Sequence, residues 1–158
     1  MANTQSMCTS FMGELMTATH NFGTAPTRGT SAADTFRGAL YLTSATIDAA
    51  TTAYTVSGEV SGAGYSAGGI VVTNATPPTA TNASATAGVA FFTPSASLTY
   101  TSVTLITAFD AVLIYNASQS NKAVSVHTFG SQTITAGTFT LTMPANTTST
   151  ALLRLATT

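Results

Sequence analysis

The chain has 158 residues and a formal net charge of −1, and only 6% of its residues are charged, against roughly a quarter in ordinary soluble domains. This length fits one domain, which can bury enough surface to fold without a disulfide. The basic residues are few and scattered, which excludes nucleic-acid binding because several phosphates would have to be neutralised together; they are Arg28, Arg37, Lys122 and Arg154.

Neither a membrane span nor an export signal is expected. No stretch approaches the ~20 consecutive apolar residues that a membrane-spanning helix needs. The first residues carry no Lys or Arg and no apolar run follows them, whereas a secretory signal has both. We therefore expect synthesis in the cytoplasm without export by this route, and no membrane partner.

The N-terminal 22 residues predict a short amphipathic helix near 6–20. Apolar side chains recur there at helical spacing, and Gly23 and Pro26 follow as helix-ending residues. One interpretation is an arm, spanning 1–35 with its linker, that docks on a partner, because methionine adapts to irregular surfaces. The alternative is a helix packed on the protein's own sheet. The candidate contact residues are Met7, Phe11, Met12 and Leu15.

Residues 36–158 are predicted to form one β domain. The strand candidates are 36–43, 54–56, 70–73, 89–93, 98–100, 103–107, 109–115, 122–129, a hairpin over 133–143, and a last strand around 152–155. The run 109–115 is nearly all apolar and should lie in the core. The stretch 74–87 is expected to be irregular, because its two consecutive prolines forbid a central strand.

Many short strands separated by turns indicate a mainly β fold, an antiparallel β-sandwich of jelly-roll or immunoglobulin-like type with a short N-terminal helix. With so few charges, the surface must consist of Thr, Ser, Asn and small apolar side chains. Such a surface tends to associate, so we expect a homo-oligomer or burial against neighbours.

No catalytic or metal-binding arrangement is visible, and we expect no enzymatic activity, cofactor or metal. The five acids are spread along the chain, and the two imidazoles, His20 and His127, show no ligand spacing. Asp110 is expected to point to solvent from an apolar strand, and His127 to lie at a surface or interface. Cys8 is the sole cysteine and is expected to be a small buried hydrophobe.

The Gly-rich segment 58–69 resembles a phosphate-binding loop only superficially. Such a loop leads from a strand into a helix, whereas the apolar run 70–72 that follows here predicts a strand. We interpret the segment as a structural loop whose glycines permit positive φ. Tyr65 is its apolar plug and a fifth candidate contact residue.

Several segments share a wider pattern: GALYLTSA at 38–45, GEVSGAGYSAGG at 58–69, AVLIYNASQSNK at 111–122 with Phe129 and Gly130, and AGTFTLTMP at 136–144. Together with the opening 8–15 and 20–22, they resemble a family of small virion proteins of tailed bacteriophages. The resemblance covers most of the chain. It implies a non-enzymatic component of the virion and no catalytic residues; many relatives carry a basic residue where this chain has Met12.

Two roles in a virion remain open from the sequence. A capsid decoration or cement protein would bind the shell, with the major capsid protein as its partner. A neck, tail or fibre component could instead present loops to the host surface. Sugar sites favour stacked aromatic side chains, and 74–87 has none while 58–69 has only Tyr65, so decoration is the favoured hypothesis.

Overall fold

The fold is described from a computed structural model, which defines residues 3–16, 19–22, 33–74, 78–81 and 88–156. Within these residues the chain is mainly β, and its sheets are antiparallel. The elements are β1 (Ser6–Met7), α1 (Thr9–Met16), β2 (Phe36–Leu42), β3 (Ile70–Val71), β4 (Thr79–Thr81), β5 (Val89–Phe92), β6 (Leu98–Asn116), β7 (Lys122–Leu141) and β8 (Leu153–Ala156).

The chain divides into two compact units. The first comprises 1–20, 34–72 and 98–140, and the second comprises 21–33, 73–97 and 141–158. The division expected from the sequence, between an arm over 1–35 and a domain over 36–158, stays a prediction. The segment around α1 belongs to the first unit because its backbone bonds to strands of that unit.

The first unit is built on a five-stranded sheet with the order β1-β7-β6-β2-β3. The C-terminal half of β6 is its centre and pairs with β2 from Phe36↔Asn116 to Leu42↔Phe109. All of 109–116 except Asp110 is buried, as expected from its apolar run. The register shifts between Tyr41 and Leu42, opposite Asp110; a bulge of this kind re-aims one side chain.

The sequence predicted that Asp110 points to solvent, but this residue is half-buried and accepts a hydrogen bond within the protein. Its Oδ1 accepts a hydrogen bond from Asn3 Nδ2 at 2.6 Å. The same Asn3 side chain donates to the Leu42 carbonyl and accepts from the Ile47 amide. The bulged carboxylate thus helps to hold the N-terminal segment on the sheet.

Strands β6 and β7 form one long hairpin that folds over itself. Phe129 and Phe139 both lie in β7, yet their ring centroids are 5.1 Å apart, where a straight strand would separate them by about 33 Å. The ring of Phe109 is 5.1 Å from that of Phe139 and 5.9 Å from that of Phe129. The half of the hairpin that contains Phe139 therefore packs against the half that contains Phe109 and Phe129, and these three aromatic rings fill the space between the two halves.

Two non-glycine residues with positive φ, Ser102 (54°) and Ala136 (48°), lie inside these long strands. The sequence predicted breaks near them: separate strands at 98–100 and 103–107, and a hairpin over 133–143. The hairpin prediction was wrong. A bulge-like kink keeps the strand paired while it bends, so the local break in pattern did not end the strand.

The second unit contains a three-stranded sheet with the order β4-β5-β8. Strands β5 and β8 pair from Val89↔Ala156 to Phe92↔Leu153, close to the predicted positions of both strands. The stretch 74–87 was expected to be irregular, but 79–81 forms β4. This strand lies at an edge, where the preceding prolines are tolerated.

Candidate functional site

A cluster of polar groups in the first unit surrounds the carboxylate of Glu59. This residue is buried, and its Oε1 accepts hydrogen bonds from Tyr65 Oη (2.7 Å) and the Gly68 amide (2.8 Å). Its Oε2 accepts one from Tyr54 Oη at 2.6 Å. Three donors compensate a buried charge that would otherwise be strongly unfavourable.

The Gly-rich loop lies directly on β2. Gly68 and Gly69 have φ of +86° and +66°, and a Cβ on Gly69 would sit 1.7 Å from the Gly38 carbonyl oxygen. The prediction of positive φ for this segment is confirmed at Gly58 and Gly64 as well. Only glycine allows this conformation at this distance.

Arg37 of β2 holds the end of the Gly-rich loop through hydrogen bonds to the loop backbone. Its Nε donates to the Gly68 carbonyl at 3.1 Å, and its Nη2 donates to the Gly69 carbonyl. Tyr115 Oη donates to the same Gly68 carbonyl at 2.9 Å. Gly68 therefore links Glu59, which its amide contacts, with Arg37, which its carbonyl contacts.

All five tyrosines of the chain belong to this region, and the pKa of each is raised; they are Tyr41, Tyr54, Tyr65, Tyr100 and Tyr115. Burial is the largest cause for each, and the charge of Glu59 adds to it. For Tyr41, these effects raise the pKa to about 12.

These shifts predict loss of stability at alkaline pH. Unfolded tyrosines lose their protons near pH 10, while the folded state retains them, so the free energy of unfolding should fall as the pH rises from about 10 to about 12. Urea titrations across this range measure it. Tyr41→Phe should reduce the slope, and a free energy that stays flat between about pH 9 and about pH 12 would contradict the assignment.

The N-terminal segment is part of the first unit. Strand β1 pairs with β7 through Ser6↔Val126 and Met7↔Ser125, and the Cys8 amide donates to the Val124 carbonyl at 3.0 Å. Cys8 is fully buried, and burial, helped by nearby Asp48 and Glu14, raises the pKa of its thiol to about 11. The prediction that Cys8 is a small buried side chain is confirmed.

The predicted contact residues are not equally accessible. Phe11 is 1% exposed and packs edge-on against His20, with ring centroids 4.9 Å apart, so it is not available to a partner in this conformation. Met7, Leu15 and Tyr65 are half-buried. Met12 belongs to α1, but its side chain lies outside the described part of the structure.

A chain of polar side chains connects the helix to the β6–β7 turn. Asn116 Nδ2 donates to His20 Nδ1 (3.1 Å) and to Asp34 Oδ2 (2.7 Å). With Nδ1 accepting, His20 Nε2 donates to Glu14 Oε2 at 2.7 Å. Burial tends to raise the Glu14 pKa, but the hydrogen bonds from Lys122 and His20 outweigh it and hold that pKa below its usual value.

His127 was expected at a surface or interface, and it is half-buried. Its Nε2 lies 2.9 Å from Ser125 Oγ, and Ser125 is 1% exposed. Burial lowers the pKa of His127 to about 4. The pair therefore has a neutral imidazole, but its serine is out of reach of a substrate.

Within residues 3–16, 19–22, 33–74, 78–81 and 88–156, no three His, Cys, Asp or Glu side chains come together as a metal site would require. In the same part of the chain, no helix has the length and apolar character to cross a membrane.

The Glu59 cluster was not predicted from the sequence. Its signal was present, since Glu59 is the only acid within a Gly-rich loop that is flanked by tyrosines. The bonding of those tyrosines to one carboxylate depends on how β2 and the loop fold together. Comparisons of the chain with protein-family models, with curated proteins and with solved structures found no match.

Proposed function

We propose that this chain is a non-enzymatic structural protein of a bacteriophage virion, a capsid decoration or cement protein that binds the shell from outside and stabilises it. Its partners are the major capsid protein and further copies of itself. The sequence resemblance and the surface chemistry of the fold both support this function. For the architecture, we propose a β-sandwich, with which the two antiparallel sheets are consistent.

The observation that carries the proposal is the shortage of charge on the surface. Of the nine charged residues, all but Arg28 lie in the described part of the chain, which leaves eight. Seven of these are buried or half-buried, and Arg154 alone is exposed. A surface with so few exposed charges is poorly protected against association, which suits a protein whose surface is covered in an assembly.

Large apolar side chains are exposed on this sparsely charged surface. Ile106 in β6 is 76% exposed, Val71 in the edge strand β3 is 54% exposed, and Leu155 in β8 is 47% exposed. An exposed apolar side chain leaves contact with water when a partner covers it, which favours association. We assign the shell contact to the sheet residues of the first unit, Ile106 and Val71, because Phe11 in α1 is buried.

Binding to shells should depend only weakly on salt, because apolar contact and shape drive it while charge contributes little. Purified protein is mixed with capsid shells that lack it, and the bound fraction is measured by co-sedimentation. We expect the dissociation constant to change less than about threefold between ~0.05 and ~0.5 M salt. A steep loss of binding with salt would contradict a contact of this kind.

A pair of variants on one strand tests the contact surface. Ile106→Glu places a charge on the most exposed apolar position and should weaken binding at least about tenfold. Thr107→Glu adds the same charge at the next residue, on the opposite face of the strand, and should bind as the parent does. Equal binding by both variants would move the contact away from β6.

A further inference from the structure

A small cleft opens beside the Gly-rich loop in the first unit. It has a volume of about 310 Å³, at the lower end of the range for small-molecule sites. The cleft is lined by residues from β2, the Gly-rich loop, β3 and the beginning of β6. Those that matter for its chemistry are Arg37, Tyr65, Ser66, Thr99, Tyr100 and Thr101.

The walls of this cleft are fixed before any ligand arrives. Tyr65 Oη donates to Glu59 and accepts the Leu40 amide at 3.0 Å. The ring of Tyr100 lies nearly parallel to that of Tyr65, 5.9 Å away, and its hydroxyl donates to the Gly38 carbonyl at 2.8 Å. A preformed site avoids the free-energy cost of ordering side chains on binding.

The cleft combines three kinds of surface. The half-buried ring of Tyr65 and the exposed side chain of Val71 offer apolar contact. The side chains of Ser66, Thr99 and Thr101 are exposed and carry hydroxyls, which can donate and accept hydrogen bonds. Apolar and hydroxyl surfaces side by side match a sugar ring, which has apolar C–H faces and a rim of hydroxyls.

The charge of the residues that line the cleft further restricts the class of ligand that fits it. Among the residues that the structure describes, Arg37 is the only charged one that lines the cleft, and its Nε and Nη2 also donate to the Gly68 and Gly69 carbonyls. Glu59 is not a lining residue, and three hydrogen bonds tie its carboxylate to Tyr54, Tyr65 and Gly68. A guanidinium is well suited to a carboxylate, through planar, charge-assisted hydrogen bonds.

From these features we propose that the cleft binds a saccharide unit that carries a carboxylate, such as a uronic acid. The sugar ring lies against Tyr65 and Val71, its carboxylate meets Arg37, and its hydroxyls bond to the Ser66, Thr99 and Thr101 side chains. This site does not depend on the virion assignment. It is tested on the purified chain alone, so either proposal can fail without the other.

The test is a titration of the purified protein with glucuronic acid, followed by NMR shifts of the backbone amides at 64–71 and 99–101. Glucose, which has the same ring without the carboxylate, is the matched ligand. We expect saturable shifts confined to these residues, and at least about tenfold weaker binding of glucose. Equal binding of both sugars, or the absence of saturable shifts, would overturn the proposal.

Variants separate the cleft from other surfaces. Thr101→Phe fills the cleft from an exposed position and should abolish the shifts, while Thr133→Phe, an exposed threonine of β7 outside the cleft, should leave them unchanged. Arg37→Gln removes the charge and also the hydrogen bonds of Arg37 to the Gly68 and Gly69 carbonyls, so it should weaken glucuronic acid binding by about tenfold or more. Full binding by Thr101→Phe would show that the sugar binds elsewhere and would refute the site, even if Arg37→Gln failed to fold.

Discussion

Replacing Gly69 by alanine should destabilise the protein severely. The left-handed φ of +66° alone costs an alanine about 1–2 kcal/mol. In addition, the new Cβ would lie 1.7 Å from the Gly38 carbonyl oxygen and 2.8 Å from the Ala39 Cα. Backbone atoms cannot yield as a flexible side chain can, so the loop must leave β2 and lose its contacts with Arg37. We expect a total loss above about 3 kcal/mol, measured by urea unfolding.

Gly130→Ala is the matched control for this change. Gly130 lies in β7, its φ is outside the left-handed region, and a Cβ there would meet no atom within 4 Å. Its free energy of unfolding should stay within about 0.5 kcal/mol of the parent value. If both alanine variants were equally stable, the close approach of the loop to β2 would be wrong.

Ile114→Ala should cost about 2–5 kcal/mol, the range for removing a large side chain from a packed core. Ile114 is 3% exposed and lies opposite Gly38 in the centre of the five-stranded sheet. The loss combines the transfer free energy of the deleted methylene and methyl groups with the cavity they leave. Chemical unfolding of the variant and the parent gives the difference directly.

The same strand supplies the control for this prediction. Ile106→Ala makes the identical change at a side chain that is 76% exposed, and it should shift stability by less than about 0.5 kcal/mol. A cost below about 1 kcal/mol for Ile114→Ala would mean that this part of β6 is peripheral and not central.

The central strand could be predicted because its signal is local. Residues 111–115 are an unbroken apolar run, and such a run has no favourable place except the interior. The extent of β6 and β7 could not be predicted. Ser102 and Ala136 interrupt the local pattern, and only the pairing of the two strands, which is non-local, shows that each strand continues through the interruption.

For the candidate site, the sequence predicted the conformation of the glycines but not the contacts of the tyrosines. Glycine at 64 and 68 permits a positive φ because it has no side chain. The hydrogen bonds of Tyr54 and Tyr65 with Glu59 depend on where the loop folds back onto β2. The helix shows the same limit: spacing placed Phe11 on its apolar face, but only the fold shows that this face packs inside its own unit.

The most direct test of the virion assignment is the copy number of this chain in purified phage particles, measured by quantitative mass spectrometry against the major capsid protein. A decoration protein predicts a constant ratio near one copy, or a small whole number of copies, per capsid subunit or capsomer. A few copies per particle, matching the rotational symmetry of a neck or tail, would contradict decoration and place the chain there. Absence from purified particles would contradict the virion assignment itself.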